Sequence, residues 1–119
     1  MTRRTDAIGA YGERVATQAL VDAGMTLLDH NWRCSAGELD LVARDGATVV
    51  FCEVKTRRTA AFGTPVEAVN AAKVKRLRAL AALWFAAHPQ MHGEVRFDVI
   101  SVRPQPSGRA TVEHLRGAF

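Results

Sequence analysis

The stretch Gly37-Glu38-Leu39-Asp40-Leu41-Val42-Ala43-Arg44-Asp45-Gly46-Ala47-Thr48-Val49-Val50-Phe51-Cys52-Glu53-Val54-Lys55-Thr56 decides the fold. From Gly37 to Arg44 it alternates, with Leu39, Leu41 and Ala43 on one side, as a strand with one covered face does. Asp45-Gly46 follows, a pair favoured by two-residue type I′ turns. Thr48 to Lys55 then runs almost unbroken through Val49, Val50, Phe51, Cys52 and Val54, which suits a central strand covered on both faces. The segment is therefore expected to be a β-hairpin. With Asp45-Gly46 as its turn, Arg44 pairs with Ala47, Asp40 faces Phe51 diagonal to Glu53, and Glu38 stands opposite Glu53.

A central strand ending in Glu53 and Lys55 is costly, because residues two apart share a face. Diagonal neighbours on paired strands lie ~7–8 Å apart, close enough for the Asp40 and Glu53 carboxylates to converge on one ion. Like charges placed opposite one another destabilise a sheet unless a cation or a proton offsets them. Hard oxygen donors of this kind suit Mg²⁺ or Mn²⁺. The chemistry that fits is metal-assisted phosphodiester hydrolysis, in which the ion activates a water and neutralises charge on the phosphate. Lys55 would orient or deprotonate that water, or stabilise the developing charge. On spacing alone, a salt-bridged strand end in which Lys55 balances Glu53 accounts for the same residues.

Outward from the hairpin, Asp6 to Ala23 is expected to be a helix whose apolar stripe is Ile8, Tyr11, Val15, Ala19 and Ala23. Thr5 or Asp6 caps its start and Gly24 follows its end. Met25 to Leu28 reads as a short strand with a polar exit through Trp32, and Thr56 to Thr64 as a polar loop. A long helix opens at Pro65 or just after it and ends before Pro89, with Val66, Val69, Leu77, Leu80 and Trp84 as its stripe. Glu94 to Val102 is a further strand, and Thr111 to Leu115 an edge strand beyond a turn-rich loop. The order predicts an α/β layer design with a mixed sheet.

The 119 residues make one domain, 1–119, with a core over about 6–102 and a tail over 103–119. An apolar share of 48% and a charged share of 24% exclude a disordered chain and a disulfide-dense mini-protein. Sixteen Lys and Arg against twelve Asp and Glu leave a net charge of +4, which favours polyanionic partners. No apolar run is long enough to cross a bilayer and no signal peptide is evident, so no membrane association is expected. Cys34 and Cys52 stand alone, as reduced thiols of a cytoplasmic protein would. His88 and His92 are four apart, but Pro89 interrupts the helix that a zinc pair would need.

Asp40 followed after twelve residues by Glu53-Val54-Lys55 resembles the D…E-x-K signature of the PD-(D/E)XK nuclease superfamily. The wider string is more specific: Gly12-Glu13, Asn31-Trp32-Arg33, Gly37-Glu38-Leu39-Asp40-Leu41, Phe51-Cys52-Glu53-Val54-Lys55-Thr56-Arg57 and Arg96-Phe97-Asp98-Val99. Together these resemble the YraN-like family of small bacterial proteins, itself similar to archaeal Holliday-junction resolvases. The resemblance implies a restriction-endonuclease-like α/β fold. It makes Asp40 and Glu53 ligands of Mg²⁺ or Mn²⁺, the Val54 carbonyl a third ligand, Lys55 the catalytic lysine and Glu13 a support of the metal site. Glu13 reads equally as a solvated helix residue, and the role of Glu38, which belongs to the narrower family motif, stays open. The implied substrate is DNA, with branched DNA first, and a two-fold junction would call for a homodimer. A non-catalytic nucleic-acid-binding or assembly module that keeps the nuclease fold is the alternative.

Lys73 falls inside the apolar stripe of the second helix, where a lysine either snorkels at an edge or faces a site; the site reading makes it a nucleic-acid-binding residue. Lys75 and Arg78 point away from that stripe, and with Arg76 they read as a solvated or phosphate-contacting face. Arg57 and Arg58 follow the site lysine directly and would hold a nucleic-acid backbone without reading sequence.

Overall fold

The computed structural model describes residues 3–57 and 70–119, with side chains from residue 7 onward. Among the described residues seven elements follow one another: α1 (Arg3–Asp22), β1 (Thr26–Cys34), β2 (Gly37–Asp45), β3 (Thr48–Thr56), α2 (Ala71–Ala87), β4 (Glu94–Arg103) and β5 (Thr111–Leu115). The strands form one sheet in the order β1-β2-β3-β4-β5. Only β3 and β4 run parallel, joined across α2, so the sheet is mixed. This is an α/β architecture consistent with the restriction-endonuclease-like arrangement.

Alternation along β3 builds the two layers. Val50 and Cys52 face one side with Leu41, Ala43, Ile100 and Val102, and α1 closes that side with Ala16 and Leu20. Val49 and Phe51 face the other with Val42 and Phe97, under Leu77, Leu80, Ala81 and Trp84 of α2. The helix stripes differ slightly from expectation. In α1 the deepest line is Gly12, Ala16 and Leu20, with Tyr11 and Val15 on its flank and Ala23 exposed. Gly12 belongs to this line because the helix touches β3 there: a Cβ at Gly12 would lie 1.8 Å from Thr56 Oγ1.

The second helix has its N-cap at Asn70, whose extended backbone (φ −125°, ψ 172°) cannot continue a helix and whose side chain accepts from the Lys73 N–H. The expected start at Pro65 is thereby corrected to Ala71; Pro65, Val66 and Val69 lie outside the described residues. The short first strand is also corrected. It spans nine residues, since as an edge strand β1 needs only one partner and tolerates the polar side chains of Asp29 to Arg33.

The hairpin forms, but with a shifted turn. Asp45 pairs with Thr48, so the loop is Gly46-Ala47, and of the two only Gly46 has a positive φ (62°). That is the requirement of a type II′ turn, with glycine first, rather than the type I′ turn expected of Asp45-Gly46. Every pairing in the hairpin moves with it. Phe51 faces Val42 and not Asp40.

Candidate active site

The shift brings the charged residues together by a different route from the diagonal expected. The last paired residues of β2 and β3 are Leu41 and Cys52. Beyond them the Val54 N–H donates to Asp40 Oδ2 at 2.9 Å, so a side-chain carboxylate stands where a strand carbonyl would. The alternation of β2 breaks at the same place. Leu41 and Ala43 pack towards α1, whereas Leu39 packs towards α2, correcting the expected single side for all three. On β1, Asn31 lies between the pairs His30–Leu41 and Trp32–Leu39 with φ 50°, a left-handed conformation that asparagine tolerates better than most residues.

Asp40 is half-buried, and its pKa rises from 3.8 to about 7. Burial is the main cause and the Glu53 charge the second; Glu13 and Glu38 add to it, while the Val54 N–H works against it. Glu53 follows the alternation of Val49 and Phe51 to the α2 side, where Lys73 of α2 forms an ion pair with it. Both partners keep little exposure, 12% for the Lys73 side chain and 14% for that of Glu53. Lys55 lies near enough to Lys73 to feel its charge, and its pKa is lowered by burial first and then by that charge. Arg57 adds to that depression and Glu53 opposes it.

On the α1 side, Glu13 forms a hydrogen bond with the Asn31 side chain and has a raised pKa, through burial first and the Glu38 charge among the rest. It thus reaches the sheet rather than solvent alone. Glu38 does not stand opposite Glu53 as the expected register had it. It pairs with Arg33 across β1 and β2, with Nε to Oε2 at 3.1 Å.

Asp40, Glu53, Lys55 and Lys73 therefore converge, with Glu13 and Glu38 close enough to Asp40 to act on its charge. Lys75 and Arg76 are exposed on the first turns of α2. Arg78 is engaged elsewhere, its guanidinium lying 5.6 Å from the centre of the Phe97 ring. The backbone N–H of Arg57 donates to the Val102 carbonyl at 2.8 Å. Arg58 lies outside the described residues.

Among the described residues, no three His, Cys, Asp or Glu side chains group as a metal cage. Two hard carboxylates that repel one another fit a smaller demand, since Mg²⁺ is commonly held by one or two carboxylates and keeps several waters. The Asp40 and Glu53 carboxylates are the side chains that would hold such an ion.

Two features had no sequence signal strong enough to find them. One is the ion pair between Lys73 and Glu53, which needs the three-dimensional position of α2. The other is a buried network on β4. Asp98 is fully buried and accepts from Arg96 Nε (2.9 Å), Arg96 Nη2 (3.0 Å), His114 Nε2 (2.7 Å) and the Gly117 N–H (3.0 Å). Burial alone would raise its pKa, but bonds from His114, Arg96 and Gly117 outweigh that and bring it to about 2. Arg96 also bonds Asp45, and Asp98 thereby ties β4, β5 and the end of β2 together. The network is structural, and the alternation Phe97-Asp98-Val99 was its only trace in the sequence.

A model of the uncharacterised protein family UPF0102 matches residues 12–102, a span that includes Glu13, Asp40, Glu53, Lys55 and Lys73. A UPF0102 protein of Frankia alni is 56% identical over 98% of each chain. One from Kineococcus radiotolerans is 54% identical over 97% of this chain and 95% of its own. A third, from Beutenbergia cavernae, is 58% identical over 97% of this chain and 98% of its own.

Proposed function

Since the chain belongs to the uncharacterised protein family UPF0102, the YraN-like family, we propose that it is a PD-(D/E)XK-type nuclease hydrolysing phosphodiester bonds in DNA with Mg²⁺ or Mn²⁺. The observation that carries this reading is the placement of Asp40 where β2 and β3 part, beside Glu53 and on the same hairpin as Lys55. A carboxylate pressed against another in a half-buried site weakens the fold, and such a cost is characteristic of functional centres. A divalent cation in this donor set supplies neutralisation of phosphate charge and acidification of a water.

The residues of the chain do the rest. Asp40 and Glu53 hold the cation, Asp40 being fixed in orientation by its bond from the Val54 N–H. Glu13, anchored by Asn31, adds negative charge that opposes ionisation of Asp40 in the empty site and would favour a cation there. Lys55 positions the attacking water beside the two carboxylates. Lys75 and Arg76, exposed on the first turns of α2, hold the phosphate backbone without reading bases. Branched DNA as preferred substrate, and a homodimer to meet a two-fold junction, rest on the resemblance to resolvases. The free thiols of Cys34 and Cys52 support a reducing, cytoplasmic setting.

The test is incubation of the purified protein with labelled four-way, flap, single-stranded and linear duplex DNA in Mg²⁺, Mn²⁺ or EDTA. Asp40→Asn and Lys55→Ala serve as paired controls. Cleavage is expected in metal only, absent from both variants, with binding retained. Cleavage equal in all three proteins would refute the assignment. Equal salt-sensitive binding without any cleavage would instead favour a binding module that keeps the fold.

A further inference from the structure

Lys73 forms an ion pair with Glu53, and lies close enough to Lys55 to act on its charge, from a helix that the D…E-x-K hairpin does not include. Its backbone is fixed, because Lys73 N–H donates to the Asn70 cap at 2.9 Å at the first turn of α2. Its ammonium lies against one of the two carboxylates that the proposed reaction needs for a cation, and both groups are mostly shielded from solvent. α2 carries no acidic residue in its first turn, so no side chain there offsets the positive end of its dipole.

We infer that Lys73 is an exchangeable counter-cation: it neutralises Glu53 while the site holds no metal, and a divalent cation enters by displacing it. The inference rests on the metal-dependent reading above. The physical reasoning is competitive. Glu53 beside Asp40 without a neighbouring positive charge would be a half-buried, repelled carboxylate, and removing one partner of a buried pair leaves the other uncompensated. A divalent cation and an ammonium cannot both sit against Glu53 without repelling one another. Metal entry therefore releases the Lys73 side chain next to Lys55, where a phosphate oxygen is its natural new partner. Lys73 is in this sense a positioning residue, which keeps the site intact between turnovers and passes its charge to the substrate when the metal arrives.

The experiment measures Mn²⁺ binding by calorimetry at pH 8, without nucleic acid, for the full chain and for Lys73→Met, Lys73→Gln, Lys73→Arg and Glu53→Gln. Loss of the competing ammonium is expected to tighten Mn²⁺ binding roughly tenfold in Lys73→Met and Lys73→Gln. Lys73→Arg keeps the wild-type affinity within about threefold, and Glu53→Gln loses most of it. A parallel urea titration in EDTA reads the counter-ion role without metal. There Lys73→Met unfolds at lower urea than wild type, and the double variant Lys73→Met with Glu53→Gln recovers most of the difference. Wild-type binding of Mn²⁺ with no gain in either neutral variant would overturn the exchange while leaving the nuclease reading intact. No Mn²⁺ binding by any protein would overturn the exchange and the metal-dependent reading together. An unchanged urea midpoint in Lys73→Met would overturn the counter-ion role by itself.

Discussion

Replacing Asp40 by Asn should make the metal-free protein more stable, although it removes a bonded, half-buried residue. The amide oxygen of Asn can still accept the Val54 N–H that Asp40 accepts at 2.9 Å, so the strand junction survives. What disappears is the cost of ionising a carboxyl whose pKa has moved from 3.8 to about 7. At 1.36 kcal/mol per tenfold, that displacement amounts to about 4 kcal/mol. Asp40 retains some solvent contact and the charges around it are partly screened, so the expected gain is about 2–4 kcal/mol. The sign follows from proton uptake. Between the unfolded value and about 7 the folded chain binds the extra proton, so wild-type stability falls as pH rises through that window and levels off above it. The Asn variant lacks this slope. Urea unfolding followed by circular dichroism, in EDTA at pH 5, 6, 7 and 8, should show the two proteins diverging with pH and the gap widest at pH 8. An Asn variant equal to or weaker than wild type at pH 8, or a gap independent of pH, would refute the electrostatic account of the site.

Three further outcomes are expected. Asp98→Asn should destabilise the fold by about 2–3 kcal/mol at neutral pH, from the depression of its pKa from 3.8 to about 2. Because the folded value is the lower one, that stability is present above the unfolded value and lost on acidification towards 2, which denaturation at pH 7 and pH 3 would read as a shrinking gap. Gly12→Ala should cost about 1–3 kcal/mol by driving a methyl into Thr56, and a second change, Thr56→Ala, should return much of the loss in thermal unfolding. Lys75→Ala and Arg76→Ala should each lower the slope of log affinity against log salt for duplex DNA by about 0.9, whereas an unaltered slope would remove that face from the nucleic-acid contact.

Much of the architecture was legible because the periodicities are strong. The alternation of Gly37 to Arg44, the apolar run through Cys52 and the turn chemistry around Gly46 identify the hairpin, and β5 lies at Thr111–Leu115 as read. The register was not legible, since Asp45-Gly46 and Gly46-Ala47 are both acceptable loops and local preference separates them by little. Packing decides between them. With Asp45 paired to Thr48, Asp45 remains at the strand end, where Arg96 bonds it at 2.9 Å, a contact 51 residues away in sequence. The start of α2 was missed because a proline at the first turn and an asparagine cap are both good openings, and only Asn70 has its side chain on a backbone N–H of the helix. Within the site, Asp40, Glu53 and Lys55 could be singled out because charge on an apolar hairpin is conspicuous. The hold of Asn31 on Glu13, and of Lys73 on Glu53, depends on how two helices lie across the sheet, which spacing along one chain does not encode.

The order of the strands also bears on how the chain reaches this structure. β1, β2 and β3 are neighbours in both sequence and space, linked by short reversals, while β3 meets β4 only after the whole of α2 has crossed the sheet. Contacts close in sequence demand little loop closure and form early; the parallel pair is the slow, non-local step. Asp40, Glu53 and Lys55 all belong to the early meander. Contact order therefore places the chemistry-bearing hairpin ahead of the α2 crossover. On that order its repelling carboxylates meet first in water, where they are hydrated, and their burden falls on the docking of α2 rather than on nucleation.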